Sequence, residues 1–411
     1  MALIEVFLAR AFRRGELTVT LPDGTTRTYG RPDADLAPVA IRFVDRSVIR
    51  GILRDPALGA GEAFMDGRLV IERGDVFDFL RLATANNVYE DGGAALDASW
   101  LRRLAGRLGH GLATRNARAR ARRNVAHHYD LSDRLYDLFL DADRQYSCAY
   151  YAGDPATETL EEAQADKKAH IAAKLALQPG MRVLDIGCGW GGMALYLHQK
   201  TGADVLGVTL SEEQLKVARA RAEAAGVAAH VRFELIDYRN VTGTFDRIVS
   251  VGMFEHVGPA NYRAYFCKVR DLLTPDGVAL IHTIGRANGP GFTDAFTTKY
   301  IFPGGYNPAL SEIADGSNGL NWFVTDVEVL RLHYAHTLKA WYDRTVTARE
   351  AIVALYDERF YRMWTFYLAG AWAAFANGGL VNFQVQFSRN RHTLPITRDY
   401  MIDGERRLRE G

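Results

Sequence analysis

Residues 181–192, reading M-R-V-L-D-I-G-C-G-W-G-G, leave this chain few choices of fold. An apolar run at 183–186, with a β-branched residue at each end, meets Gly187, Gly189, Gly191 and Gly192 and then the apolar segment from Met193. The pattern predicts a buried strand, a tight turn and the start of a helix. Glycine suits such a turn because the backbone takes positive φ and a ligand approaches more closely than a Cβ permits. The ligand then belongs at the carboxyl end of the strand.

The spacing of the turn bears on which ligand that is. A G-x-G-x-x-G turn would hold a diphosphate against the helix N-terminus. Here the order is D-x-G-x-G-x-G-G, with Asp185 still inside the strand. An acid so placed suits the cationic amino group of S-adenosylmethionine better than a diphosphate. A nucleotide site and a purely structural turn stay open on this motif alone.

At 411 residues the chain is long for one domain, and two or three compact units are expected. The net charge of +1 favours neither nucleic acid nor an acidic partner, so local clustering decides. Cys148, Cys188 and Cys267 form no short pair, which argues against a disulfide framework or a zinc site and fits a reducing cytoplasm. The first residues lack a cleavage region, and no segment reaches the roughly 18 continuous apolar residues of a membrane span. A soluble or peripheral protein is expected.

Leu3, Ile4, Phe7, Leu8 and Phe12 fall at helical spacing, either as a core helix or as a membrane-surface or dimer-contact helix. Leu17, Val19 and Leu21 alternate with polar residues before Asp23-Gly24, and 26–29 resume the pattern, which predicts a hairpin. A strand at 39–44 and a helix at 76–85 complete a small α+β module over about 1–100. Between 102 and 123, Arg102, Arg103, Arg107, Arg115, Arg118, Arg120, Arg122 and Arg123 occur without an acid. Residues 101–124 are read as a basic linker, either simply solvated or in contact with anionic phospholipid. RNA is a weaker choice, because no aromatic-rich RNP sheet accompanies the arginines.

Beyond it, strands at 183–186, 205–210, 231–236, 245–251 and 277–284 alternate with helical segments. That order predicts a doubly wound α/β sheet with its ligand along the strand ends. The Gly-, Pro- and aromatic-rich stretch from Arg286 reads as a lid spanning 286–325. A strand at 327–332, two helices over 333–376 and a strand at 381–388 would add a terminal pair to the sheet. The aromatic residues of the helix at 360–375 are read mostly as core.

Six segments recur together: Y-S-C-A-Y at 146–150, V-L-D-I-G-C-G-W-G-G at 183–192, G-V-T-L-S-E-E-Q at 207–214, D-R-I-V-S-V-G-M-F-E-H-V-G at 246–258, F-P-G-G-Y at 302–306 and Y-R-M-W at 361–364. In this order they resemble the cyclopropane-fatty-acyl-phospholipid synthases and the related mycolic acid cyclopropane synthases, across roughly 125–395. The N-terminal module, with L-G-A-G-E-A-F-M-D-G at 58–67, resembles the extra domain of the phospholipid-acting branch.

The resemblance implies a seven-stranded, Rossmann-like class I methyltransferase core at 125–411, joined to the α+β module. It implies methyl transfer from S-adenosylmethionine to a cis alkene of a phospholipid acyl chain, then proton loss and ring closure. Bicarbonate is the implied proton acceptor, held by Cys148, Glu255, His282, the Ile284 backbone and Tyr367. The implied cosubstrate residues are Tyr146, Ser147, Gly187, Gly189, Thr209, Gln214, Ile236, Asp237 and Tyr238, alongside the Asp185 of the turn. One departure concerns the second strand, where most methyltransferases end on an acid that binds the ribose. Val208-Thr209-Leu210 stands there instead, so Thr209 and Gln214 must substitute. Ser388 receives no catalytic role, and Phe302 to Tyr306 are expected to line an acyl tunnel.

By the same likeness the partners are a membrane phospholipid with an unsaturated tail, an anionic membrane surface and a second copy of this protein, with no nucleic acid. The place of action is the inner face of the cytoplasmic membrane. An acyl methyltransferase that leaves a branched or methylene product is the nearest alternative. A silent membrane-binding protein and a methyltransferase for a soluble metabolite are the others.

Overall fold

The computed structural model describes residues 3–92 and 132–410. The basic segment at 101–124 and the H-H-Y-D sequence at 127–130 lie outside the described residues. Contacts between Cα atoms divide the chain into two compact units.

The first unit gathers the described part of Met1–His110 with Phe292–Pro303 and Ala335–Leu380. Its hairpin, β1 (Gly15–Thr20) and β2 (Thr26–Arg31), is antiparallel around the Asp23-Gly24 turn, as predicted. β3 (Val39–Phe43) runs parallel to β1, and β4 (Leu69–Arg73) antiparallel to β3, giving the order β2-β1-β3-β4. Alternation buries Leu17, Val19, Val39, Ile41 and Phe43. The helix Val76–Ala85 forms as predicted, closed at its start by an Asp75–Asp78 capping box.

The helices Arg46–Arg54 and Pro56–Met65 follow no strong propensity signal, because Gly51, Gly59 and Gly61 interrupt them. Those glycines serve packing instead. A Cβ on Gly59 would sit 2.2 Å from the Gly51 carbonyl carbon, and one on Gly61 would meet Phe296 and Phe366 at 2.6 and 2.9 Å.

The aromatic helix Glu358–Ala376 supplies core to this unit. Trp372 packs on Phe77 at 4.4 Å between centroids, Phe366 lies 4.9 Å from Phe296, and Asn377 Nδ2 donates to Thr84 Oγ1 at 2.9 Å. The expected continuous domain at 125–411 is therefore not how the contacts divide the molecule. The helices Pro56–Met65 and Val76–Ala85 need an apolar cover, and the aromatic stripe of Glu358–Ala376 provides it.

The second unit is built on seven strands: β5 (Arg182–Ile186), β6 (Asp204–Thr209), β7 (Val231–Leu235), β8 (Phe245–Val251), β9 (Leu273–Arg286), β10 (Phe323–Leu330) and β11 (Leu380–Ser388). Their order is β10-β11-β9-β8-β5-β6-β7. The pairs β5/β6, β6/β7, β5/β8 and β8/β9 are parallel, and β10/β11 is antiparallel, as the sequence predicted for a terminal pair. Helices cover both faces, so the inner strands are buried on both sides. Ile186, Ile248 and Ile281 face one core with Phe254 and Phe266. Val183, Val249 and Leu280 face the other with Leu197 and Val205.

From β5 the chain winds outward through β6 and β7, then returns to β8 on the opposite side of β5. That reversal opens a crevice at the carboxyl ends of β5 and β8. The stretch expected as one long lid is more ordered than its Gly and Pro content suggests. It contains the helices Ala295–Tyr300 and Leu310–Ser317 and the first residues of β10. Asp294 caps the first of these by accepting the Thr297 N–H at 2.8 Å.

Candidate active site

A cavity opens at the switch point of the second unit. All ten residues singled out for the cosubstrate line it: Tyr146, Ser147, Asp185, Gly187, Gly189, Thr209, Gln214, Ile236, Asp237 and Tyr238. The turn after β5 forms its floor. Gly187 and Gly189 take φ of 83° and 55°, and a Cβ on Gly189 would project into open space. Asp185 is 2% exposed, and its Oδ2 has no hydrogen-bond partner among the described residues. Burial pushes its carboxyl up to about 7, against the pull of the Lys167 charge. An orphaned, buried acid at the cavity floor is the kind of group an incoming aminium would satisfy.

At the end of β6, Thr209 Oγ1 donates to Gln214 Oε1 at 3.0 Å. The pair expected to replace the missing acid is thus in direct contact. The bond commits the Gln214 carbonyl, leaving its amide hydrogens for ligand hydroxyls. After β7, Asp237 accepts the Arg239 N–H at 3.0 Å, and Tyr238 packs edge-on to Tyr265 at 5.3 Å. With the open glycine turn and the orphaned acid, the Gln214 donor, the Asp237 acceptor and the Tyr238 ring fit S-adenosylmethionine.

None of the five residues singled out for proton removal is among those that line this cavity. Glu255 lies in the short 3-10 turn Phe254–His256 after β8, between Met253 and His256, which line the cavity. Its Oε1 accepts the Ile284 N–H at 2.7 Å, while Oε2 is buried without a hydrogen-bond partner among the described residues. Burial pushes this carboxyl up to about 7. Cys148 is buried, its Sγ 3.2 Å from the Ala149 carbonyl oxygen.

His282, on β9, faces the strand amides of β11. Gln384 Nε2 lies 3.1 Å from Nδ1, and the Asn382 amide 3.4 Å from Nε2. Lys174 Nζ donates to Gln384 Oε1 at 2.8 Å, which turns the Gln384 amide hydrogens toward Nδ1. Burial, with the nearby Lys167 and Lys174 charges, pushes the imidazole down to about 3, so it is neutral and holds one hydrogen. With Nδ1 accepting, that hydrogen is on Nε2 and faces the Asn382 amide, whose otherwise unpartnered oxygen takes it when the amide is turned over. A His282 hydrogen bond to bicarbonate thus requires exchange with Asn382. Tyr367 lies in the first unit, on Glu358–Ala376, with Trp364 and Phe302 as ring neighbours at 5.3 and 6.2 Å.

The expected acyl-tunnel segment divides between the units. Phe302 belongs to the first, whereas Tyr306 is buried in the core of the second and donates its hydroxyl to Glu312. Tyr306 is therefore a packing residue, and Gly304 is the member of this segment that lines the cavity. Sequence reasoning passed over Gln145, Trp190, Met253 and His256, which also line it. Gln145 stands immediately before the Y-S pair and His256 immediately after Glu255, so adjacency was the available signal.

The profile of the mycolic acid cyclopropane synthetase family matches residues 116–385. The sequence is also 40% identical to the cyclopropane-fatty-acyl-phospholipid synthase of Escherichia coli strain K12, over 86% of its own length and 88% of that protein. The chain belongs to the cyclopropane synthase family. It is an S-adenosylmethionine-dependent methyltransferase. A second relative within reach of this family, a probable fatty acid methyltransferase of Pseudomonas putida, is 37% identical over 90% of this chain and 93% of its own length. Among solved structures, mycolic acid cyclopropane synthase CmaA1 complexed with SAH and CTAB superposes with a TM-score of 0.62 at 34% identity, covering 65% of this chain and 98% of that one. Residues 3–88, outside the cyclopropane synthetase match, fit a domain of unknown function.

Proposed function

We propose that the enzyme transfers the sulfonium methyl of S-adenosylmethionine to a cis double bond of a membrane phospholipid acyl chain and then closes a cyclopropane ring, with bicarbonate as the proton acceptor. The observation that carries this reading is Glu255: a buried carboxyl in the turn whose Met253 and His256 line the cavity, held by the Ile284 N–H and with one oxygen unpartnered among the described residues.

An alkene is a weak nucleophile, so the donor must be held close and other nucleophiles kept out. The alkene electron pair takes the methyl, the sulfonium becomes a thioether, and the second alkene carbon is left cationic. Loss of a proton from the new methyl then gives its C–H electron pair to the second C–C bond. Water would quench the cation to an alcohol, which makes a dry site necessary. Bicarbonate, when bound, would supply a small oxygen base in such a site. Glu255 Oε2 is suited to hold it by sharing a proton, with Cys148 and the Ile284 backbone in the proposed set. His282 would join it through exchange with Asn382.

A second reading, a fatty-acyl methyltransferase that leaves a branched or methylene product, is favoured by the likeness to the Pseudomonas putida protein. It shares the cation and differs in which proton leaves. We further propose action at the inner face of the cytoplasmic membrane, on an anionic surface, as a homodimer with the N-terminal module in the contact. No described helix is long and apolar enough to cross a membrane.

Mass spectrometry of vesicles containing a cis-monounsaturated phospholipid, after incubation with S-adenosylmethionine, tests the reading. The expected product is heavier by one CH2, resists mild hydrogenation, and falls when bicarbonate is withheld or Glu255→Gln is introduced. A branched or still unsaturated product would favour the second reading. No lipid product across several acyl lengths, despite binding of S-adenosylmethionine, would overturn both.

A further inference from the structure

Lys167 lies in the helix Leu160–Leu175 and is 0% exposed. A buried ammonium is costly unless it is paired, and pairing normally means direct contact with a carboxylate. Lys167 departs from that pattern. Its hydrogen bonds go to two neutral oxygens, Gln145 Oε1 at 2.6 Å and Ser147 Oγ at 2.9 Å, although Asp141, Asp143 and Asp185 are close enough to feel its charge. Two of these carboxylates are engaged elsewhere. Asp141 accepts the Gln145 and Asp143 N–H groups, and Asp143 binds Lys168 and Arg221. One turn earlier on the same helix, Gln164 Nε2 donates to the carbonyl oxygens of Gln145 and Ser147 at 3.1 and 3.0 Å. Two side chains of one helix therefore fix both the backbone and the side chains of the loop that forms a wall of the cavity.

An ammonium has three hydrogens to give and no lone pair. Ser147 must accept from it, so the single hydroxyl hydrogen of Ser147 is released for another acceptor. Ser147 lines the cavity. The same logic holds at Gln145, whose oxygen is taken by Lys167 and whose amide nitrogen donates to Asp143 Oδ2 at 2.9 Å.

We infer that Lys167 is a positioning residue: by occupying the Ser147 oxygen it commits the Ser147 hydroxyl hydrogen to the cavity, as a donor to the carboxylate of the methionine moiety of S-adenosylmethionine. This rests on the reading of the cavity as the S-adenosylmethionine site. Asp185 at the floor would take the amino group of the same moiety, so the two ends of the amino acid meet groups of opposite demand.

Calorimetry with two probes tests it. S-adenosylhomocysteine carries the amino-acid carboxylate, and 5′-methylthioadenosine lacks it. In the full-length protein, Lys167→Met and Ser147→Ala are each expected to raise the ratio of the two dissociation constants about tenfold, equivalent to about 1.4 kcal/mol. They do so by weakening S-adenosylhomocysteine while 5′-methylthioadenosine holds within about twofold. The double variant should lose no more than either single one. Lys167→Gln, which keeps N–H donors without the charge, should retain most of the selectivity.

An unmoved ratio in either single variant, equal weakening of both probes, or additive losses would overturn the inference. If Lys167→Met does not fold, Ser147→Ala decides: a raised ratio supports the inference, and an unchanged one leaves the lysine nothing to direct. Failure of the wild-type protein to bind either probe would instead overturn the reading of the cavity itself.

Discussion

Glu255 sets an acid against its own solvation, and the cost has a sign that can be measured. Its carboxyl titrates near 7 in the folded state against an ordinary value of 4.5. Below pH 4.5 the group is protonated in both folded and unfolded states and contributes no pH dependence. Between 4.5 and 7 the unfolded state ionises first, so stability falls as pH rises, and above 7 the penalty is constant. Glu255→Gln removes it. Denaturant unfolding should find the variant gaining on the wild type across that window and levelling off above it, by roughly 3 kcal/mol at most. A stability difference independent of pH would mean that the carboxyl is solvated in the folded state. The comparison must be made as a difference, because burial pushes His256 down to about 4 and His282 to about 3. Those histidines make stability rise with pH over an overlapping range. The same variant should lose most activity, since the unpartnered oxygen is the group proposed to share a proton.

Among the elements, glycines in helices sort by what surrounds them. Gly59 in Pro56–Met65 has no room for a Cβ, because the obstacle is the Gly51 backbone rather than a side chain that could swing aside. Gly370 in Glu358–Ala376 has room: among the described residues its Cβ would meet only Leu80, at an ordinary 3.9 Å. Gly59→Ala should therefore lower stability by about 2 kcal/mol or more, through strain at a close helix contact. Gly370→Ala should raise it by about 0.5–1 kcal/mol, through helix propensity. Thermal unfolding of the two variants checks the opposite signs, and equal signs would refute the packing account. This contrast also explains what the sequence could disclose. The strands of the large sheet were legible because burial on both faces leaves continuous apolar runs such as Val183 to Ile186. The helix Pro56–Met65 was not, because its glycines look like turn residues until the opposing backbone is known. Within the site, Gly187, Gly189 and Glu255 follow strand ends and could be read locally. Lys167 and Asn382 could not, because their partners lie 20 and 100 residues away.

For the whole molecule, the order of elements was legible and the grouping of its parts was not. Phe292–Pro303 and Ala335–Leu380 join the N-terminal module through contacts between residues more than two hundred positions apart, such as Lys299 Nζ to Glu62 Oε1 at 2.5 Å. Such contacts leave no local periodicity. Charge is different, because it acts at a distance and can be read from composition alone. The chain is nearly neutral, yet eight arginines fall between 102 and 123 without an acid. Each basic residue near an anionic bilayer contributes about 1 kcal/mol, and the attraction fades within a Debye length of about 10 Å at 0.1 M salt. Replacing those eight arginines by glutamine should therefore weaken cosedimentation with vesicles containing phosphatidylglycerol at least about 100-fold at low salt. It should also flatten the salt dependence that the wild type shows, while binding of S-adenosylhomocysteine stays intact. Retained binding with an unchanged salt slope would mean that apolar contact or another basic face holds the membrane, and that the arginines serve as a solvated linker.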